Sequence, residues 1–152
     1  MKIALVINSF DAQLGGAEHW TCQYARLLAQ RGHTLHVIAR RFGPEAAELG
    51  VVRHELPECK NRTALAAAAA EIAEKLEVDV VHDMGLGWYC DIFQPHGGAR
   101  LASYAQNLQL MPSWLRPLKH LATPWLSRYR DFARLERQQY RADGPLLIAL
   151  SQ

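Results

Sequence analysis

The sequence predicts an α/β protein built on an open parallel sheet of about six strands with helices on both faces. The first observation is that residues 3–7 are continuously apolar, which is typical of a strand covered on both faces. The second is that such runs alternate with segments of helical period, an order that favours parallel strands joined by crossover helices. The length of 152 residues fits a single Rossmann-like domain.

The first strand is followed by a helix and a second strand. A helix is predicted from Ala17, because apolar residues then recur on one helical face. These residues are Trp20, Tyr24, Leu27 and Leu28. Gly32 is expected to end the helix, and residues 34–39 form the second predicted strand. Residues 40–44 are predicted to be a loop.

The remaining elements follow in the same alternating order. A third strand is predicted at residues 51–56, and Thr63 is expected to cap the next helix. The apolar stripe of that helix consists of Leu65, Ala69, Ile72 and Leu76. The later predicted elements are strands at 78–83 and 90–95, helices around 101–110 and from Trp125 to about Tyr140, and a last buried strand at 146–150.

Polar residues at the ends of the predicted strands indicate a binding site. Asn8, Asp83 and His96 each follow a strand, and ligands of open parallel sheets bind beyond the carboxyl ends of the strands. Gly15 and Gly16 precede the first helix, whose N-terminus suits an anion such as a phosphate. A tight turn without a ligand is the alternative interpretation of the glycine pair.

The sequence disfavours a nicotinamide-dependent enzyme and a P-loop protein. The glycine pair is neither GxGxxG nor a Walker loop. The second strand ends in Arg40 and Arg41, where a nicotinamide enzyme would carry an acidic residue. The histidines have no spacing that indicates a metal site.

Several short motifs resemble the start of a family 4 glycosyltransferase. They are Gly15-Gly16-Ala17-Glu18, Leu27-Leu28-Ala29, Arg31-Gly32-His33 and the strand at 35–39. The resemblance implies a GT-B fold, in which two Rossmann-like halves face each other across a cleft. Residues 1–152 would be the N-terminal, acceptor-side half, and the C-terminal nucleotide-sugar domain would be absent. We therefore expect this chain alone to be inactive as a transferase.

The resemblance also implies roles for individual residues. His96 would be the catalytic residue, lying in the cleft near the transferred sugar and the acceptor. Donor and acceptor binding would involve Gly15, Gly16, Glu18, His82, Asp83 and Gly97. No cofactor or metal is expected beyond the donor, a nucleotide sugar such as UDP-glucose. The alternatives are a structural His96, capping by His82 and Asp83, and a Glu18 favoured by the helix dipole.

A basic stripe is predicted on the last helix. Its arginines are spaced 4, 3 and 4 residues apart, at Arg130, Arg134, Arg137 and Arg141. Residues 100–152 carry a net charge of +5, whereas residues 1–99 carry −3. This region resembles the bacterial lipopolysaccharide core glucosyltransferase I group in Ser127-Arg128-Tyr129-Arg130, Phe132, Leu135-Glu136-Arg137 and Tyr140. That resemblance implies glucose transfer to a lipid-linked saccharide acceptor at the anionic surface of the inner membrane. A solvated arginine face is the alternative.

Composition sets the expected location and leaves a second function open. Three widely spaced cysteines suit a reducing cytoplasm, and neither a signal peptide nor a membrane-spanning run is present. We expect a cytoplasmic protein, peripheral on the inner membrane if the basic stripe binds lipid. The alternative function is a non-enzymatic Rossmann-like module that docks on a membrane or a partner protein. Nucleic acid is not favoured, because no recognised nucleic-acid-binding module is present.

Overall fold

The computed structural model describes residues 1–117 and 126–149. Its strands are β1 Lys2–Val6, β2 Ser9–Phe10, β3 Thr34–Ala39, β4 Arg41–Phe42, β5 Val52–Glu55, β6 Val80–Asp83, β7 Ile92–Phe93 and β8 Leu146–Leu147. Its helices are α1 Gly16–Gln30, α2 Glu45–Glu48, α3 Arg62–Lys75, α4 Arg100–Gln109 and α5 Ser127–Gln139. The strands and helices alternate as the sequence predicts.

Six of the strands form one parallel sheet in the spatial order β5-β3-β1-β6-β7-β8. Counted along the chain, this is the 3-2-1-4-5-6 order of doubly wound nucleotide-binding folds. The order reverses between β1 and β6, and a crevice is expected at the carboxyl ends of these two strands. The fold class predicted from the sequence is therefore confirmed.

Alternate residues of the central strands supply two hydrophobic cores. Leu5 points toward α1 and packs with Cys22 and Ala25, while Val6 points toward α3 and packs with Leu65. The sheet is thus covered on both faces, which explains why β1 is apolar at every position. A strand in this position has no solvent-facing side.

The buried face of α1 differs from the predicted stripe. Trp20 is 38% exposed and Leu27 is 51% exposed, although both were expected to pack on the sheet. The buried residues of α1 are Thr21, Cys22, Ala25 and Leu28. Three of these four side chains are small, so the face of α1 that meets the sheet is less bulky than the predicted stripe.

Other predictions are corrected in detail. Asn61, not Thr63, caps α3, because its side chain accepts the backbone N–H of Ala64. Residues 41–42 form a short strand paired with β2 rather than loop. β8 is predicted to be buried, but its two leucines are 66% and 50% exposed because β8 is the edge of the described sheet. Trp125 and Leu150, the predicted ends of two elements, lie outside the described residues.

Candidate functional site

A cleft of about 590 Å³ lies at the point where the strand order reverses. The ends of β1 and β6 form its floor, and the first residues of α1, α3 and α4 form its walls. The lining residues include Asn8, Glu18, Arg40, Asn61, Arg62, Gly85, His96, Gly97 and Arg100. The sequence predicted a site at this rim from Asn8, Asp83 and His96, and two of these three line the cleft.

His96 enters the cleft from the chain beyond β7 and packs against an aromatic row on α1. Its ring lies 5.1 Å from the ring of Trp20, which is stacked on Tyr24 at the same distance. Burial lowers the pKa of His96 below its ordinary value of 6.5, and the Glu18 carboxylate offsets part of this effect. The imidazole is therefore neutral at neutral pH and can donate or accept a hydrogen bond. Its Nε2 atom is buried and has no hydrogen-bond partner within the described chain.

The glycine pair lies beside the cleft rather than in its lining. Gly15 caps α1 and Gly16 begins it, while Ala17 and Glu18 line the cleft next to His96. A Cβ atom on Gly15 would lie 2.8 Å from Oε2 of Glu18, so the glycine lets this carboxylate fold back over the turn. The structure thus brings Glu18, His96 and Gly97 into one hollow with the start of α1.

His82 and Asp83 lie beneath the cleft instead of on its surface. Both are buried, and the edge of the His82 ring meets Tyr24 at 5.4 Å between ring centroids. Burial lowers the pKa of His82, and it raises the pKa of Asp83 to about 6. The Asp83 carboxylate accepts the backbone N–H groups of residues 85–87 at 2.6–2.7 Å. These contacts position a loop that forms part of the cleft lining.

Three cleft arginines were missed as site residues. Arg40 follows β3, Arg62 begins α3 and Arg100 begins α4. Arg40 could have been found from its place at the end of a predicted strand. Arg62 and Arg100 had no such signal, because the sequence separates them from the cleft motifs and only the fold brings them together.

The predicted basic stripe on α5 is exposed but shorter than expected. Arg130, Arg134 and Arg137 are exposed residues of this helix. Arg141 lies beyond the end of the helix and its Nε is 3.9 Å from a carboxylate oxygen of Asp143. Three consecutive turns of α5 therefore present arginines to solvent.

Other polar side chains of α5 anchor the helix to the segments that surround the cleft. The Asp131 carboxylate accepts the backbone N–H of Arg62 and the hydroxyl of Thr63 at the start of α3. The Glu136 carboxylate accepts the backbone N–H groups of Arg100 and Leu101 at the start of α4. The amide of Gln139 donates to the carbonyl of Gly87 at 2.8 Å. α5 therefore hydrogen-bonds three segments around the site, which are the start of α3, the start of α4 and the loop that follows β6.

A second hollow, of about 390 Å³, opens between α4 and α5. It shares Gly97 and Arg100 with the cleft and is lined by the rings of Tyr104, Tyr129 and Phe132. Within residues 1–117 and 126–149, no three His, Cys, Asp or Glu side chains are grouped so that they could hold a metal ion. None of the helices in the same ranges is both long enough and apolar enough to cross a bilayer.

Comparisons with known proteins identify relatives of this architecture. The family model described as Glycosyltransferase Family 4 matches residues 14–144. A solved structure of WaaG, a glycosyltransferase involved in lipopolysaccharide biosynthesis, superposes with a TM-score of 0.70 at 18% sequence identity. The match covers 95% of this chain and 37% of WaaG, so the chain spans little more than a third of that protein. No curated protein matches the chain.

Proposed function

The chain belongs to glycosyltransferase family 4, and from this premise we propose that it is the acceptor-side half of a retaining hexosyltransferase. In this proposal the enzyme moves glucose from a nucleotide sugar, UDP-glucose, to a lipid-linked saccharide of the lipopolysaccharide core. The lipopolysaccharide assignment is supported by the fold shared with WaaG, whose own role is in lipopolysaccharide biosynthesis. No cofactor or metal takes part in the proposed reaction.

The single observation that carries the proposal is the cleft at the carboxyl ends of β1 and β6. It combines an imidazole, a carboxylate and two asparagines in one hollow, and these groups can all hydrogen-bond sugar hydroxyls. Its position is where doubly wound folds bind their ligands. A docking module that binds through its outer surface has no need of such a cleft.

In the proposed reaction His96 contacts the substrate directly. Its neutral ring is held against Trp20 and lines the cleft, where it would hydrogen-bond a sugar hydroxyl. Holding the acceptor hydroxyl beside the anomeric carbon of the donor converts a bimolecular encounter into an oriented one. Glu18 and Gly97 would complete the surface around the sugar, while Asp83 and His82 support it from below.

The acceptor and the membrane complete the proposal. The exposed arginines of α5 would meet anionic lipid headgroups and would hold the protein on the cytoplasmic face of the inner membrane. The nucleotide of the donor would be held mainly by a second Rossmann-like domain, as the GT-B resemblance implies. We accordingly propose that the 152-residue chain binds the acceptor saccharide but does not transfer glucose by itself.

Binding of the acceptor tests this function. Isothermal titration of the chain with a delipidated core oligosaccharide should show binding that His96→Ala weakens at least about tenfold, the effect of losing one hydrogen bond to a polar ligand group. The matched control is His19→Ala, because His19 is an exposed α1 histidine outside the cleft lining. Equal binding by the wild type and both variants would contradict the role of His96.

Transfer is measured separately with labelled UDP-glucose and truncated lipopolysaccharide. No turnover is expected from the 152-residue chain, because the donor-binding domain is proposed to be a second unit. Turnover by this chain alone would show that the proposed division of labour is wrong. Failure of any core oligosaccharide to bind would instead remove the support for an acceptor-side half.

A further inference from the structure

Three arginines that have no role in the reaction outlined above converge on the cleft. Arg40, Arg62 and Arg100 come from three separate connections of the chain. They meet because the carboxyl ends of parallel strands share one rim of the sheet. Glu18 is the one carboxylate among the lining residues, so the formal charge of the lining is positive. A cleft lined by one sign of charge attracts ligands of the opposite sign.

Two of these arginines pack against the ring of Phe132. The Cζ atom of Arg62 lies 5.4 Å from the ring centroid, and that of Arg100 lies 5.1 Å from it. Both guanidinium groups are attracted electrostatically by the quadrupole of the ring.

The N-termini of α3 and α4 are already occupied by internal carboxylates. Asp131 and Glu136 accept the first backbone N–H groups of α3 and α4. Neither carboxylate lines the cleft. At these two walls of the cleft, an incoming anion would therefore meet arginine side chains rather than unpaired helix N–H groups.

The third arginine can move toward a ligand at little cost. The guanidinium of Arg40 is 3.7 Å from a carboxylate oxygen of Glu58, whose side chain is 97% exposed. Such surface ion pairs contribute little to stability, because water screens them. A ligand with several oxygens can replace Glu58 as the partner of Arg40.

We propose that Arg40, Arg62 and Arg100 bind a phosphate group carried by the saccharide acceptor. Guanidinium groups pair with phosphate oxygens through two parallel N–H···O bonds. Three guanidiniums that approach from separate connections need more acceptor oxygens than a carboxylate offers, and a phosphate monoester supplies three. The inference rests on the proposed function, since it assigns the phosphate to the acceptor and not to the nucleotide sugar.

Calorimetric titration with simple probes tests the arginine site. Inorganic phosphate and glucose 6-phosphate should bind, and glucose should bind at least about tenfold more weakly than its phosphate. Each of Arg40→Gln, Arg62→Gln and Arg100→Gln should weaken binding of glucose 6-phosphate about tenfold, the typical effect of one lost charge-assisted contact. Arg100→Lys should fall between the wild type and Arg100→Gln, because it keeps the charge but not the paired geometry.

The matched control is Arg53→Gln. Arg53 also lies over a phenylalanine ring, 5.7 Å from the centroid of Phe42, but it is outside the cleft lining. This variant should bind glucose 6-phosphate as tightly as the wild type. Equal loss in Arg53→Gln and the three cleft variants would overturn the proposal, and so would equal binding of glucose and glucose 6-phosphate.

The same titrations separate this inference from the proposed function. If UDP competes with glucose 6-phosphate and depends on the same arginines, the site belongs to the donor and the acceptor assignment is wrong. The transferase proposal would survive that result. If core oligosaccharide fails to bind while the arginine-dependent binding of glucose 6-phosphate persists, the anion site stands and the transferase proposal fails.

Discussion

The contact between Glu136 and the start of α4 has a measurable stabilising effect. Glu136 is buried, and its carboxylate accepts the backbone N–H groups of Arg100 and Leu101. These groups are among the donors that a helix leaves unpaired at its N-terminus. The carboxylate is also favoured there by the helix dipole. Glu136→Ala removes both effects at once, and it frees α5 from α4 at this point.

The expected loss of stability follows from the two hydrogen bonds that the substitution removes and from the water that partly replaces them. A hydrogen bond to a charged acceptor contributes about 1.5–3 kcal/mol. Water can replace part of this contribution, because Arg100 is exposed. Loss of a helix cap by itself costs about 0.5–2 kcal/mol. We expect Glu136→Ala to lower the free energy of unfolding by about 2 kcal/mol, which lowers Tm by roughly 4–8 °C. Glu136→Gln keeps a neutral acceptor oxygen and should lose about half as much.

Urea unfolding followed by circular dichroism measures these losses, and amide hydrogen exchange locates them. Exchange should accelerate at Arg100 and Leu101 in Glu136→Ala. The control is Glu74→Ala on α3, because Glu74 is exposed and its side chain forms no hydrogen bond or ion pair within the described residues. If Glu136→Ala is no less stable than Glu74→Ala, the carboxylate does not anchor α4 and the reasoning is refuted.

Two further predictions concern pH and membranes. Nδ1 of His36 lies 3.0 Å from Nε2 of His54, and burial lowers the pKa of both below 6.5, so the unfolded chain binds protons more readily. The free energy of unfolding should then fall as the pH drops below about 6.5, and it should fall less in His54→Gln. Urea titrations of both proteins at two pH values measure this difference. An equal pH dependence of the two proteins would contradict the prediction. Replacing Arg130, Arg134 and Arg137 by Glu should abolish flotation with vesicles that contain anionic lipid. Wild-type flotation that persists without anionic lipid would assign the attachment to another part of the chain.

The sheet could be predicted from sequence because the composition of its central strands reflects how deeply they are buried. Residues 3–7 are apolar at every position, and β1 is covered on both faces. β8 shows the limit of this reasoning. Leu146 and Leu147 have the same apolar pattern but lie at the edge of the described sheet. A short apolar run does not show whether a strand has neighbours on both sides.

The face that α1 buries was not predictable from hydrophobicity alone. Hydrophobicity ranks Trp20 above Thr21, yet Thr21 is fully buried and Trp20 is 38% exposed. The tryptophan packs against His96 instead. Distance between an element and its partner decides which residues fit, and the sequence of one helix does not contain that distance.

The candidate site was predictable only where a strand end marked it. His96 and Asn8 carry that mark, whereas Arg62 and Arg100 reach the cleft through helix starts whose position depends on the whole fold. A signal for the role of α5 was nevertheless present. Two of the three acidic residues after residue 100, Asp131 and Glu136, lie on this helix.

α5 carries both the anchoring side chains and the exposed arginines, and deletion of the helix would remove both. Asp131 and Glu136 hold the starts of α3 and α4, and Phe132 packs against the guanidiniums of two cleft arginines. The outer face of α5 presents arginines to solvent. Removing the helix would therefore disturb the cleft as well as the basic surface, and a loss of activity would not identify which was needed. Substitutions restricted to the outer face leave the anchors in place, so they are the changes that isolate the basic surface.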